Sequence, residues 1–269
     1  SKDLSKTQVR ATIDARSDYL IDRYQKWIDK YPNAFAGVQV FDEPSQSYYQ
    51  AIAAAQDWWY EHFPEYELYA NLLPKYATYT QLHGSIGDGS MTYVDYVDNF
   101  INEVNPCFIS YDNYPYLRTT FSAEIRKDYL SNLETFAWAA KENKIPFYCY
   151  QLLIEHLSYT SPDTYREYAW QVYTALAYGC RGLQTFKYWA YMVAEDDPLS
   201  RGKGLVDQEG NIMPIYYAVQ EVIKEIKGAS SSSQASHITK QKIPETTNKI
   251  TINHGKNIIS GVKNNISVV

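Results

Sequence analysis

Two adjacent carboxylates, Asp42 and Glu43, follow the apolar run Phe35-Ala-Gly-Val-Gln-Val-Phe41 and precede Pro44. A residue before proline is pushed towards extended backbone, and neighbouring side chains on an extended segment point opposite ways. The pattern therefore predicts that at most one of the two acids faces a site, Glu43 rather than Asp42, which would orient or cap. Further along, Asp112 sits in Tyr111-Asp-Asn-Tyr-Pro115 and Glu155 in Leu152-Leu-Ile-Glu-His156. Paired carboxyl groups are what the hydrolysis of a glycosidic bond needs: one donates a proton, the other acts as nucleophile or base. Each acid also has a purely structural explanation. Asp42 or Ser45 would serve as the N-cap of a following helix, Asp112 as an Asx-turn residue, and Glu155 as a solvated loop acid.

The elements that position these residues follow a regular grammar. Apolar positions at helical spacing predict a helix over 5–30, then a strand over 35–41. Next come helix 46–62, strand 66–73, helix 91–104, strand 107–111, helix 122–143, strand 147–153, helix 162–178, strand 182–189 and helix 214–227. Five strands, each followed by a helix, indicate βα units on a parallel sheet. No GxGxxG or GxxxxGK[ST] pattern follows a strand, so the usual signature of a nucleotide-binding sheet is missing. The expectation is an α/β chain carrying the last five βα units of a (β/α)8 TIM barrel, since a whole barrel takes about 250 residues.

In such a barrel, chemistry gathers at the C-terminal ends of the strands. Those ends supply Asp42 and Glu43, Lys75, Asp112-Asn113-Tyr114, Gln151 with Glu155, and Lys187-Tyr188-Trp189. Carboxylates, amides and aromatic rings suit sugar recognition: rings stack on apolar sugar faces and polar groups bind hydroxyls. Glu43, Asp112 and Glu155 are the expected catalytic acids. Asp42, Asn113, Tyr114, Gln151, Lys187 and Trp189 are the expected substrate contacts, with Trp189 as a stacking platform. His83 and His156 are expected to be surface histidines.

Composition narrows the partners. A net charge of −6 with no clustered basic residues argues against nucleic acid. No segment reaches the roughly 20 apolar residues of a membrane span. Cys107, Cys149 and Cys180 form no CxxC pair, which predicts buried inert thiols rather than a disulfide framework or a metal centre. No cofactor is expected, and the sequence does not fix the oligomeric state. The serine-rich run from Gly228 to Ser236 predicts a linker, giving a barrel domain over 1–227, a linker over 228–248 and a β-rich module beginning at 249–269.

Taken together, Gly37-Val-Gln-Val-Phe-Asp-Glu-Pro-Ser45, Ile109-Ser-Tyr-Asp-Asn-Tyr-Pro115, Tyr173-Thr-Ala-Leu-Ala-Tyr-Gly-Cys-Arg-Gly182, Thr185-Phe-Lys-Tyr-Trp189 and Gly204-Leu-Val-Asp-Gln-Glu-Gly210 resemble glycoside hydrolase-type TIM barrels of clan A. The likeness spans residues 5–227 and is strongest to β-galactosidase-like and related secreted bacterial enzymes. It implies polysaccharide or oligosaccharide hydrolysis, with an acid/base glutamate ending the fourth strand and a nucleophile glutamate ending the seventh. If the last strand here is the eighth, Glu43 takes the acid/base position. The seventh then ends at Gln151, which cannot be a nucleophile, leaving Asp112 or Glu155 as the partner. Two other readings stay open: a carbohydrate-binding barrel without catalysis, and a metal-dependent barrel enzyme using Asp42, Glu43, Asp112 and a histidine. The stretch 249–269 resembles the start of a β-sandwich or sorting module of exported Bacteroidetes enzymes, which implies a secreted, periplasmic or cell-surface protein.

Overall fold

A computed structural model describes residues 5–118, 123–155, 157–189, 204–207, 209–231 and 267–268. The chain divides into two compact units, one comprising 1–113 and 130–148, the other 114–129 and 149–269.

The first unit opens with α1 (Lys6–Asp14) and α2 (Ser17–Lys30) in place of a single helix. The interruption has a tertiary cause. Lys6 pairs with Asp57 at 2.7 Å and Arg10 with Glu61, which ties α1 to α3 (Tyr49–His62), while Trp58 Nε1 donates 2.8 Å to Ser17 Oγ at the start of α2. These anchors turn the chain at Ala15 and Arg16 although the apolar spacing runs on. The strands are β1 (Gly37–Asp42), β2 (Glu67–Leu72) and β3 (Ile109–Tyr111), paired in parallel in that order. A short α4 (Tyr79–His83) precedes α5 (Tyr93–Val104), which Thr92 caps by a reciprocal box with Asp95. Trp58, Trp59, Phe63, Ile28 and Leu68 form a buried cluster under α2 and β1.

The second unit contains an antiparallel pair, β4 (Tyr116–Arg118) against β5 (Ala123–Ile125), and β5 falls where the sequence pattern predicts the start of a helix over 122–143. The helix α6 (Tyr129–Asn143) begins later. The pairing wins because Tyr116, Leu117 and Arg118 each find an antiparallel partner in Ile125, Glu124 and Ala123, which the local periodicity cannot show.

The strand β6 (Phe147–Leu152) belongs to both units. Its base lies beside β3, where the Ile109 N–H donates 3.1 Å to Pro146 O, and its upper part lies beside β7 (Gly182–Phe186), where the Leu153 N–H donates 2.7 Å to Phe186 O. The helix α7 (Tyr165–Ala177) and α8 (Pro214–Ser231) complete the repeats, and a two-residue β8 (Ser267–Val268) pairs in parallel with β7. Five parallel strands each followed by a helix make this an α/β fold of the incomplete TIM-barrel class. The helix α8 runs four residues into the stretch predicted as linker, and most of 228–269 lies outside the described residues.

Candidate functional site

The sharpest departure from the sequence pattern is at Glu43. Its φ is +49°, the left-handed region that L-residues with a Cβ adopt only at a cost. The proline that follows does not hold it extended. Its N–H donates 2.8 Å to the carbonyl of Asn71, so the last residues of β1 stay hydrogen-bonded to β2 while the Glu43 side chain swings out of strand alternation. A register shift between Gln39 and Phe41 disturbs the alternation just before it, and bulges of this kind re-aim side chains next to functional sites. Neither acid caps a helix. Ser45 occupies the N-cap of the short turn at Gln46–Tyr48 without a side-chain capping bond, and Asp42 Oδ1 instead accepts from Gln39 Nε2 at 2.9 Å.

Asn71, absent from the sequence-derived candidates, organises the cluster. It is buried, and its Nδ2 donates 2.6 Å to Asp112 Oδ1 and lies 3.5 Å from Asp42 Oδ1, while its Oδ1 accepts 2.9 Å from the buried Ser110 Oγ. Asp112 follows β3 directly and is partly buried; it is no simple turn residue. Burial, then the charge of Glu43, then that of Asp42 lift its carboxyl, against the Asn71 bond that lowers it, and the outcome is pushed up to about 7. The Glu43 carboxyl is also raised, first by desolvation and then by the charge of Asp42. Since Glu43 and Asp42 remain exposed, Asp112 is the group on which desolvation acts most fully.

Tyr96 of α5 clamps the ends of β1 and β2. Its hydroxyl donates 2.7 Å to Pro44 O and accepts 3.1 Å from the Leu73 N–H. Burial holds this phenol far above its ordinary range, so it stays a proton donor. Tyr93 donates 2.8 Å to Leu73 O and accepts 3.0 Å from Asn132 Nδ2. Asn132 Oδ1 in turn accepts from Asn113 Nδ2 at 2.9 Å and from the Lys75 N–H at 2.8 Å. Asn113 is thus buried scaffolding beside the acids. His83 is not at the surface: it is fully buried, its Nδ1 3.1 Å from Gln46 Oε1 and its ring against Tyr79.

The remaining candidates belong to the second unit. Tyr114 is buried, with Tyr159 edge-on and Phe186 stacked against its ring. Gln151 is buried too, its Nε2 3.2 Å from Cys149 Sγ. Glu155 forms an ion pair with Arg118. The Lys187 Nζ lies 5.6 Å from the Phe186 ring centroid. Trp189 and Tyr188 are exposed, at 43% and 59%, as a stacking surface would require. They are backed by Gly204, whose φ of +65° and approach to the Lys187 and Tyr188 carbonyls leave no room for a Cβ. His156 lies outside the described residues.

Among the described residues no group of three or more His, Cys, Asp or Glu side chains is arranged to hold a metal ion, and no helix is long and apolar enough to cross a membrane. Of the thiols, Cys149 and Cys180 are buried as expected, whereas Cys107 is exposed and donates 2.6 Å to Glu67.

No known protein-family profile matches the sequence, and no curated protein matches it. Solved structures do. A candidate α-L-fucosidase from Bacteroides thetaiotaomicron matches with 10% identity and a TM-score of 0.48 over 77% of this chain and 61% of its own. A β-galactosidase from Marinomonas ef1 matches with 11% identity and a TM-score of 0.46, over 67% of this chain and 26% of its own. A β-galactosidase from Halorubrum lacusprofundi gives 13% identity and a TM-score of 0.45, over 82% and 35%. This chain therefore spans less than two thirds of each of these proteins. At such identities and scores the likenesses carry nothing about which bond this chain acts on.

Proposed function

We propose that the chain is the acid-bearing part of a glycoside hydrolase, and that Asp112 and Glu43 are its two working carboxyl groups. The observation that supports this reading is the lift of the Asp112 carboxyl, to which burial contributes most and the Glu43 charge next. The two acids follow β1 and β3, on either side of β2; Glu43 disfavours the ionisation of Asp112, which keeps its proton to about pH 7, while burial and then Asp42 raise Glu43 itself. A carboxyl still protonated near neutrality is a general acid. Asp112 then delivers its proton to the glycosidic oxygen as the C–O bond breaks. Glu43, the more exposed of the two, acts in its carboxylate form, attacking the anomeric carbon or removing a proton from the attacking water. The roles are the reverse of those that strand counting assigns, because the proton resides on the more buried acid. Asp42 and Asn71 hold the charge and orientation of the pair. In the second unit, Trp189 is proposed to offer its exposed ring to a sugar face.

The substrate is an oligosaccharide or polysaccharide, and export from the cell belongs to the same proposal. The test is hydrolysis of a panel of aryl glycosides and glycans by the whole gene product, with Glu43→Gln and Asp112→Asn. Each variant should lose about 10²- to 10⁴-fold in kcat. With a dinitrophenyl leaving group, which needs no protonation, Asp112→Asn should recover most of its rate and Glu43→Gln should not. Full activity of either variant on natural glycans overturns the reading. Binding of a glycan with no turnover by any form would favour a carbohydrate-binding module instead. Glu155→Gln should keep its rate within a few-fold, because Glu155 is committed to Arg118.

A further inference from the structure

We infer that Cys149 and Cys180 form a disulfide bond when the protein matures in an oxidising medium. Both lie in the second unit, Cys149 on β6 and Cys180 two residues before β7, and their Sγ atoms stand 3.5 Å apart. Both are nearly sealed from solvent, at 4% and 1% exposure. The two thiols are otherwise weakly committed: Cys180 Sγ lies 3.0 Å from Gly182 O, and Gln151 Nε2 lies 3.2 Å from Cys149 Sγ. A disulfide needs the sulfurs at about 2.05 Å. The Sγ atoms, 3.5 Å apart, close that gap by rotation about the two Cα–Cβ bonds.

The chemistry is thiol–disulfide exchange with a small disulfide such as oxidised glutathione. One cysteine thiolate attacks it, giving a mixed disulfide and releasing one glutathione thiolate. The second cysteine thiolate then attacks the protein sulfur and expels the other glutathione. The two thiol protons end on the two glutathione molecules, which also carry the two electrons. Contact with Cys180 and burial hold the Cys149 thiol well above its ordinary range, so exchange is slow in the folded protein. The bond therefore forms during folding or local opening and is afterwards as hard to reduce as it was to make. That describes a structural clamp around α7 rather than a switch. Cys107 stays a thiol: it is pushed up to about 12 by crowding and by the Glu67 carboxylate beside it.

The test refolds the full chain with a glutathione redox pair, alkylates it under denaturing conditions without reduction, and maps it with trypsin. One of the three cysteines should be alkylated, the intact mass should fall by two hydrogen atoms, and peptides 145–166 and 167–181 should be linked. Cys107→Ala should keep that link and Cys180→Ala should abolish it. Reduction of the native protein by dithiothreitol should be at least about a hundredfold slower than in denaturant. Three alkylatable thiols after oxidising refolding, or a link through Cys107, overturns the inference. The wild-type peptide map decides even if a variant fails to fold.

Discussion

Asn71 donates a 2.6 Å hydrogen bond to Asp112, and its own backbone carbonyl accepts the Glu43 N–H at 2.8 Å. One buried amide on β2 thus fixes both members of the proposed pair, one through its side chain and the other through its backbone.

That bond favours the ionised form of Asp112, so removing it should raise the carboxyl further. Asn71→Ala should move the Asp112 titration upward by about one pH unit, the worth of a hydrogen bond to a charged group. Carboxyl carbon chemical shifts against pH would measure it. A downward move would contradict the role given to Asn71.

The lift also bears on stability. Asp112 rises from an ordinary 3.8 to about 7 in the folded protein, so between those values the folded state binds more protons than the unfolded one. Stability is then fully present below the unfolded value and is lost as pH rises through the folded one. The whole shift corresponds to about 4 kcal/mol, which partial contact with solvent reduces to about 2 kcal/mol. Asp112→Asn should therefore be more stable than the wild type at pH 8 by about that amount, and the gap should shrink by pH 5. Urea unfolding at the two pH values checks this; an equal gap at both would contradict it.

Glu43 carries a backbone cost. A residue with a Cβ at a φ of +49° gives up about 1 kcal/mol relative to glycine. Glu43→Gly should stabilise the protein by roughly that amount, relieving both strain and carboxylate crowding, while hydrolysis is lost. A destabilised Glu43→Gly, measured by thermal melting, would mean that the left-handed turn is held for its side-chain contacts instead.

Much of the architecture was legible from periodicity, because helices and strands in βα units bury faces that repeat at 3.6 and 2 residues. The strand end at Asp42 and the strand before Asp112 were both found that way. What periodicity could not show depends on distant partners. The break before Ser17 comes from α3, and the strands at 116–118 and 123–125 come from pairing with each other. The left-handed Glu43 runs against the preference that Pro44 imposes. Asn71 was missed although it ends Tyr66-Glu-Leu-Tyr-Ala-Asn71, a polar residue at the buried end of a strand, which was the available signal. Asn113 and Tyr114 follow the strand end that periodicity indicates, yet Asn113 is buried against Asn132 and Tyr114 against Tyr159 and Phe186. A strand-end position alone does not tell a ligand contact from a support.

The most direct test is the titration of the Asp112 carboxyl in the wild type and in Glu43→Gln, read by carboxyl carbon chemical shifts. The wild-type group should titrate at about 7. In Glu43→Gln it should fall, because one repelling charge is gone, yet stay above the ordinary range because burial is the larger cause. An Asp112 that titrates near 4 in both proteins would show that the two carboxyl groups do not share a site.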